Sequence, residues 1–151
     1  MSKLSKVTVI DLPSVAQPER GCLTVIQGEQ HLPFPIARIF YIYGVPGGCD
    51  RGAHAHRGTE QVFVALSGNF ALDLTDGHKQ ETFMMRRPDR AVYVPPMTWV
   101  RLYNFSADAV CLVLASTGYD PGDYIRDWDE FTAAARNSVS AEAKDTNINI
   151  P

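Results

Sequence analysis

A succession of short apolar runs separated by turn residues is the feature that most constrains how this chain can fold. The runs are rich in β-branched and aromatic residues and are too short to be helices. They lie at 7–12, 22–26, 36–43, 61–66, 70–75, 78–85, 91–94, 99–105 and 110–116. Asp76-Gly77 is typical of a two-residue type I′ hairpin. Many short strands at regular spacing predict an all-β sandwich or closed barrel.

One helix is predicted after the last strand. Asp127 is a suitable N-cap with Glu130 three residues later, and Trp128, Phe131 and Ala135 fall on one helical face. The residues after this helix are small and polar, which favours an irregular segment. We therefore predict a single domain over residues 1–136 and a loose C-terminal tail over residues 137–151.

Composition excludes several classes of partner. The chain has 151 residues and a net charge of −3, so its overall charge gives no reason to expect binding to nucleic acid or to an anionic membrane. No apolar run near the N-terminus resembles a signal peptide or a membrane span. Three widely separated cysteines, with no zinc-binding spacing, indicate reduced thiols and a cytoplasmic protein.

The stretch Arg51-Gly52-Ala53-His54-Ala55-His56 is the strongest candidate site. Two histidines that stand two residues apart in a strand leave the sheet on the same face. Such a pair can hold a metal ion or can transfer protons, since the imidazole pKa lies near neutral pH. The residues around the pair decide between the two roles.

The spacing around the histidines resembles the two metal-binding blocks of cupin barrels. Gly48 precedes His54 at the distance of the first block, and Gln61 stands where that block has a carboxylate ligand. In the second block Val100 replaces the last histidine. Valine cannot bind a metal ion, and a neutral amide is a poor substitute for a carboxylate. We therefore predict no metal and no other cofactor.

The motifs resemble those of the dTDP-4-keto-6-deoxyglucose 3,4-ketoisomerases. The resemblance covers roughly residues 7–131 and rests on the RG-x-HAH block, on Glu60-Gln61-Val62, on Ser67-Gly68, and on Tyr119-Asp120 with Asp123-Tyr124-Ile125-Arg126. It implies a small cupin jelly-roll β-barrel that forms a homodimer by exchanging N-terminal strands. It also implies a metal-free isomerase that converts a dTDP-linked 4-keto-6-deoxyhexose to its 3-keto isomer.

This resemblance suggests a role for each candidate residue. Proton removal from C3 through an enediol needs a base poised near neutral pH and donors for the developing negative charge. His56 is taken as the principal base, and His54 as its partner. The other expected contacts are Tyr41 on the sugar oxygens, Arg51 and Arg38 on the pyrophosphate, Gln61 on a sugar hydroxyl or a histidine, and Trp99 at the barrel mouth.

Three positions depart from the family pattern. Arg57 replaces a common lysine, and Val100 and Arg101 stand where polar and acidic residues are usual. Arg57 keeps the charge, whereas Val100 and Arg101 leave the exact substrate open, and nothing in the sequence fixes the C4 stereochemistry or the pathway's end product. Two alternatives remain. One is a dTDP-sugar epimerase of the same fold, although the sequence shows no acidic partner for a histidine base, and the other is a nucleotide-sugar-binding cupin without turnover.

Overall fold

The computed structural model describes residue 4 and residues 6–145, with side chains described as far as residue 137. Twelve strands and one α-helix make up this part of the chain. The strands are β1 (Thr8–Asp11), β2 (Ser14–Gln17), β3 (Gly21–Thr24), β4 (Arg38–Tyr43), β5 (Arg51–His56), β6 (Gln61–Ser67), β7 (Phe70–Thr75), β8 (Gln80–Met85), β9 (Arg90–Val94), β10 (Trp99–Tyr103), β11 (Val110–Ala115) and β12 (Tyr124–Ile125). The helix is α1 (Trp128–Asp145).

The strands form two five-stranded sheets and one ribbon. The first sheet has the order β1-β9-β6-β11-β4 and the second β12-β5-β10-β7-β8, while β2 pairs with β3 in the ribbon. One buried cluster joins the two large sheets, with Phe63 and Val113 from the first and Leu72 and Val100 from the second. No ladder links those sheets within the described part of the chain. The architecture is therefore a double-sheet roll in which apolar packing closes the interior.

A second core explains why β6 is apolar on both faces. Its alternate residues Val62 and Val64 point away from the interior, where Leu12, Leu32 and Phe34 cover them. Strands that are buried on both faces lose the usual alternation of apolar and polar residues. The segment between β1 and β4 therefore acts as a lid over the outer face of the first sheet.

The structure corrects two local predictions. The sequence predicts no strand between residues 12 and 22, but Ser14–Gln17 is strand β2, and Pro13 precedes its ladder and removes none of its hydrogen bonds. The predicted two-residue hairpin at Asp76-Gly77 is a longer loop. The Asp76 carboxylate accepts the backbone N–H groups of His78 and Lys79, both at 2.8 Å, and β8 begins only at Gln80.

The C-terminal helix begins as the sequence predicts and ends later. The Asp127 carboxylate accepts the backbone N–H of Glu130 at 2.9 Å, and Phe131 and Ala135 are buried. The helix continues to Asp145, so residues 137–145 of the predicted tail are helical, while residues 146–151 lie outside the described part. Among the described residues no helix is both long and apolar enough to cross a membrane.

Candidate active site

A cavity of about 550 Å³ opens between the two large sheets at the end where β4, β5 and β12 meet. Its floor is apolar and includes Phe63, Val100 and Leu102. Polar groups converge on it from three elements: Arg51 and His54 on β5, Gln61 on β6, and Tyr124 with Arg126 at β12. An apolar pocket with a few convergent polar groups is the usual form of a small-molecule site.

A bulge in β5 orients the histidine pair. Val100 pairs with His54 whereas Arg101 pairs with Gly52, so Ala53 is the extra residue in the ladder. Gly52 has φ +88 and Ala53 has φ +59, both in the left-handed region. A side chain at Gly52 would place its Cβ 2.7 Å from the Val100 carbonyl oxygen. Glycine is therefore required at this position, because another residue would push β5 away from β10.

His56 is the inner histidine, and Asp123 holds it in place. The side chain is 3% exposed, and its Nδ1 lies 2.8 Å from Asp123 Oδ2. Burial acts to raise the pKa of Asp123, but hydrogen bonds from Thr59, from His56 and from the Gly58 backbone outweigh it and lower that pKa. An ionised carboxylate only accepts hydrogen bonds, so Nδ1 of His56 carries the proton and Nε2 holds the lone pair.

His54 is the outer histidine and borders the cavity. Burial, together with the neighbouring His56, lowers its pKa from 6.5 to about 4, and Arg126 also acts to lower it. The two imidazole centroids are 5.2 Å apart, and the Tyr124 ring lies 5.1 Å from that of His54 and 4.4 Å from that of His56. Burial also lowers the pKa of His56, although Asp123 opposes the shift. Both imidazoles are therefore neutral near pH 7.

The remaining predicted site residues are divided between the cavity and other places. Gln61 and Arg51 line the cavity. Arg38 is half-buried beside it, with its guanidinium 5.5 Å from the centroid of Phe40 and 5.7 Å from that of Tyr119. Arg38 is close enough to His56 to act on its pKa.

The structure places Tyr41 at the cavity and Trp99 away from it. Tyr41 is among the lining residues, and its side chain is 61% exposed and stacks on Tyr43. Trp99 packs against α1, with its ring 5.2 Å from that of Trp128 and 5.4 Å from that of Phe131. Val100, the next residue, is the one that faces the cavity.

The donor set in the cavity does not suit the metal ion that many cupin barrels hold. Gln61 offers only a neutral amide where the carboxylate ligand would stand, and Val100 offers no ligand atom at the fourth cupin position. Within the described residues no three His, Cys, Asp or Glu side chains form a group that could hold a metal ion. We therefore derive no step that passes through a metal.

A family model for FdtA-type proteins, described as WxcM-like, C-terminal, matches residues 5–136. The chain belongs to this family. The match spans both large sheets, the ribbon and the start of α1, and it confirms the resemblance identified from the HAH block.

Characterised relatives agree with this assignment. A TDP-4-oxo-6-deoxy-α-D-glucose-3,4-oxoisomerase from Aneurinibacillus thermoaerophilus is 41% identical over 112 residues, which cover 74% of this chain and 81% of that protein. The crystal structure of a sugar 3,4-ketoisomerase from Thermoanaerobacterium thermosaccharolyticum with TDP has a TM-score of 0.87 at 32% identity, covering 90% of this chain and 98% of that one. These FdtA-type neighbours confirm the all-β jelly-roll class.

Another structure of the T. thermosaccharolyticum enzyme contains the sugar substrate. It is a histidine-to-asparagine variant in complex with TDP-4-keto-6-deoxyglucose. It matches with a TM-score of 0.86 at 32% identity over 89% of this chain and 97% of that one. That relative therefore binds a nucleotide-linked keto sugar.

Sequence reasoning missed three residues that the structure places at the site. Asp123 holds His56, Tyr124 packs on both imidazoles, and Arg126 stacks on Tyr124 at 4.4 Å. All three belong to the D-Y-I-R motif that supported the resemblance, but they are 67 or more residues from His56. The pairing of Tyr124 with His56 across β12 and β5 brings them together, and no local pattern reveals such a pairing.

The His56–Asp123 pair removes one argument against the epimerase alternative. The sequence showed no acidic partner for a histidine, whereas the structure supplies one. A 3′-monoepimerase from Streptomyces bikiniensis does share the fold, with a TM-score of 0.70 over 82% of this chain and 71% of that one, but at 21% identity. That likeness shows the fold alone, so the closer ketoisomerase sequences decide the family.

Proposed function

We propose that this chain is a metal-free isomerase that converts dTDP-4-keto-6-deoxy-D-glucose to a dTDP-3-keto-6-deoxyhexose. The activities named for the FdtA-type relatives support the reaction. The observation that carries the proposal is the neutral His54 imidazole on the cavity wall, backed by a second imidazole that a carboxylate orients. This arrangement provides a base and a second proton carrier at a cavity that can hold the sugar.

In the proposed mechanism His54 removes the proton from C3. The sequence favoured His56 for this role, but His54 is the histidine that borders the cavity, and a general base must reach the proton it abstracts. As the C3–H bond breaks, its electron pair forms the C3–C4 double bond and the C4 oxygen takes a proton. The enediol then collapses, because the C3 hydroxyl loses its proton and C4 accepts one, which leaves the ketone at C3.

The other polar groups stabilise this enediol. Tyr124 and Gln61 stand on the cavity wall beside His54 and would donate to the sugar oxygens where negative charge develops. Deeper in, Nε2 of His56 is buried without a hydrogen-bond partner, while Asp123 fixes the opposite nitrogen of that ring. We propose that His56 exchanges the second proton with His54.

Two arginines at the cavity are proposed to bind the pyrophosphate. Arg51 and Arg126 both border the cavity and are exposed. A guanidinium matches phosphate oxygens with two parallel hydrogen bonds. Arg38 was the other candidate from the sequence, but it lies between Phe40 and Tyr119 and is the less accessible choice.

The reaction can be tested by incubating the protein with dTDP-4-keto-6-deoxyglucose in deuterated water and following the sugar by NMR. We expect the carbonyl to move to C3 and deuterium to appear at C4. Deuterium at C3 or C5 with the ketone still at C4 would favour the epimerase. An unchanged sugar that nevertheless binds would favour the non-catalytic cupin. The configuration at C4 is read from the same spectra.

We further propose that the protein is a homodimer with exchanged N-terminal strands. The ribbon β2–β3 pairs with neither large sheet, and β4 is the last strand of its own sheet. Both expose apolar side chains: Val15 at 55% and Leu23 at 59% on the ribbon, Ile39 at 58% and Tyr43 at 67% on β4. An exposed apolar edge of this kind is typical of a protein–protein interface.

A charge in this apolar surface should separate the protomers. We expect Ile39→Glu to weaken dimerisation about 100-fold or more, because each subunit would bury an unpaired carboxylate. The mass in solution, measured by light scattering across a dilution series, reports the change. Met84→Glu is the matched control, since Met84 is 57% exposed on β8 in the other sheet. A wild-type protein that is monomeric at micromolar concentration would contradict the proposal.

We propose a cytoplasmic location for the enzyme. Cys22 and Cys49 are exposed free thiols, and Cys111 is a buried one. Exposed unpaired thiols are typical of proteins in a reducing compartment. A nucleotide-linked sugar substrate is consistent with the same compartment, and fractionation of the native host tests the proposal.

A further inference from the structure

A buried hydroxyl behind the histidine pair has no part in the mechanism above. Thr59 is 2% exposed and lies in the turn between β5 and β6. Its Oγ1 contacts Asp123 Oδ2, the same oxygen that contacts His56 Nδ1. Its second contact is Thr117 Oγ1 at 2.6 Å, which lies after β11. The four side chains form one chain of hydrogen bonds that starts at Thr117 and ends at His56.

The chemistry of these groups fixes the direction of each hydrogen bond. The ionised Asp123 carboxylate accepts only, so Thr59 must donate to it. A hydroxyl has a single proton, so Thr59 must accept from Thr117. With Gly58 N–H on Oδ1 at 2.7 Å, both carboxylate oxygens are occupied by donors. The only arrangement that satisfies every group keeps the proton of His56 on Nδ1.

We propose that Thr59, supported by Thr117, is a positioning residue that holds Asp123 ionised and thereby keeps His56 in the tautomer with a free Nε2. The expected effect on kcat rests on the proposed function, whereas the expected tautomer of His56 does not. Thr59 does not line the cavity and is not a catalytic residue. Its hydroxyl acts through Asp123, in the way that outer hydrogen bonds orient the histidines of other sites.

Removal of the Thr59 hydroxyl should therefore change the protonation of Asp123 and the tautomer of His56 in a predictable direction. Without the donor from Thr59, Asp123 loses one of the hydrogen bonds that lower its pKa, so it takes up a proton more readily. A protonated or rotated carboxyl no longer requires a proton on Nδ1 of His56. The other charged or titratable groups near the pair are His54 on β5, Arg38 on β4 and Tyr124 and Arg126 at β12, and none of them replaces the lost donor.

The test compares Thr59→Val with Thr59→Ser in the full-length protein. We expect Thr59→Val to lower kcat about 10- to 100-fold, the effect of one hydrogen bond to a charged group, with KM changed less than about threefold. We expect Thr59→Ser, which keeps the hydroxyl, to stay within about threefold of the parent enzyme. Thr82→Val is the matched control, because Thr82 also donates to an aspartate, Asp73, but lies exposed on β8.

The decisive readout is the tautomer of His56, which needs no turnover. In protein labelled with ¹⁵N-histidine, the parent should show His56 with a protonated Nδ1 and a bare Nε2. The chain has four histidines, so His56→Asn identifies the signals. In Thr59→Val we expect the form protonated on Nε2 to appear, whereas Thr59→Ser should resemble the parent. An unchanged tautomer in Thr59→Val would overturn the inference, even if kcat fell.

The two proposals fail in different ways. If the parent protein shows no ketoisomerase activity, the proposed function fails while the ¹⁵N signals still decide the role of Thr59. If Thr59→Val does not fold, Thr117→Val is the second variant, since it removes only the outer donor. It should shift the tautomer in the same direction by a smaller amount, and parent-like signals in that variant would overturn the inference.

Discussion

His54→Asn is expected to lower kcat about 10²- to 10⁴-fold, the contribution of a positioned general base. Asparagine approximates the size of the imidazole but cannot take up a proton, so the cavity is kept while proton removal from C3 is lost. His54 borders the cavity beside Gln61 and Tyr124, and its low pKa of about 4 keeps the imidazole unprotonated at neutral pH. We expect KM to change by less than about threefold, because binding depends mainly on other groups.

Single-turnover assays of the purified variant with dTDP-4-keto-6-deoxyglucose measure this effect. The parent enzyme should lose kcat/KM only as the pH falls towards the His54 pKa of about 4, since protonation then removes the base. His78→Asn is the control, because that histidine is exposed in the loop before β8. A His54→Asn variant with parental kcat, alongside an inactive His56→Asn variant, would return the role of base to His56.

Asp123→Asn is the second substitution from which we expect a large effect, with kcat lower by about 10²- to 10⁴-fold, as for loss of an acid–base group. Asp123 accepts from His56, Thr59 and the Gly58 backbone. An amide has one accepting oxygen, so its NH₂ group must face one of these donors. When it faces His56, the imidazole must move its proton to Nε2, and Nε2 can then no longer accept a proton.

Asp123→Asn should also lower the free energy of unfolding, by an amount that depends on pH. The folded-state pKa of Asp123 is lowered, so its ionised form stabilises the fold above the unfolded-state value of about 4. That contribution is lost as the pH falls through the lowered folded-state pKa. The difference in free energy of unfolding between parent and Asp123→Asn should therefore be largest at neutral pH and should decrease below about pH 4.

Urea titrations at several pH values measure this difference. Asp73→Asn is the control, because Asp73 accepts hydrogen bonds from Gln80 and Thr82, which are exposed on β8, and it does not line the cavity. A constant difference across the whole pH range would contradict an ionised Asp123 in the folded protein. Full activity of Asp123→Asn would contradict its role in orienting His56.

Local pattern predicted most of the fold. Alternation and turn residues located nearly every strand of the two large sheets, and the helix cap at Asp127 was correct. The end of α1 was predicted too early. Small polar residues suggested an irregular tail, although such residues are also compatible with a helix. The strand β2 was missed because Ser14–Gln17 is exposed on both faces and so has no periodic apolar signal.

The candidate site was predictable only where it is local in sequence. His54, His56 and Gln61 lie within one β5–β6 unit, so spacing placed them together correctly. The alternation along β4 was also predictable, but which face meets the cavity depends on the partner sheet, so the role of Tyr41 stays a prediction. Trp99 packs against α1 while Val100 lines the cavity, because a one-residue step in a strand changes the face.

The bulge at Gly52 and Ala53 separates β5 into two stretches that are anchored independently. Beyond it, His56 is held by its pairing with Tyr124, by the Met97 N–H on its carbonyl at 2.7 Å and by Asp123. Before it, Arg51 pairs with Leu102 in a different register. Insertions or deletions in the preceding loop should consequently move Arg51, which is proposed to bind the pyrophosphate, without displacing the imidazoles, so substrate affinity and proton chemistry can be altered separately in this scaffold.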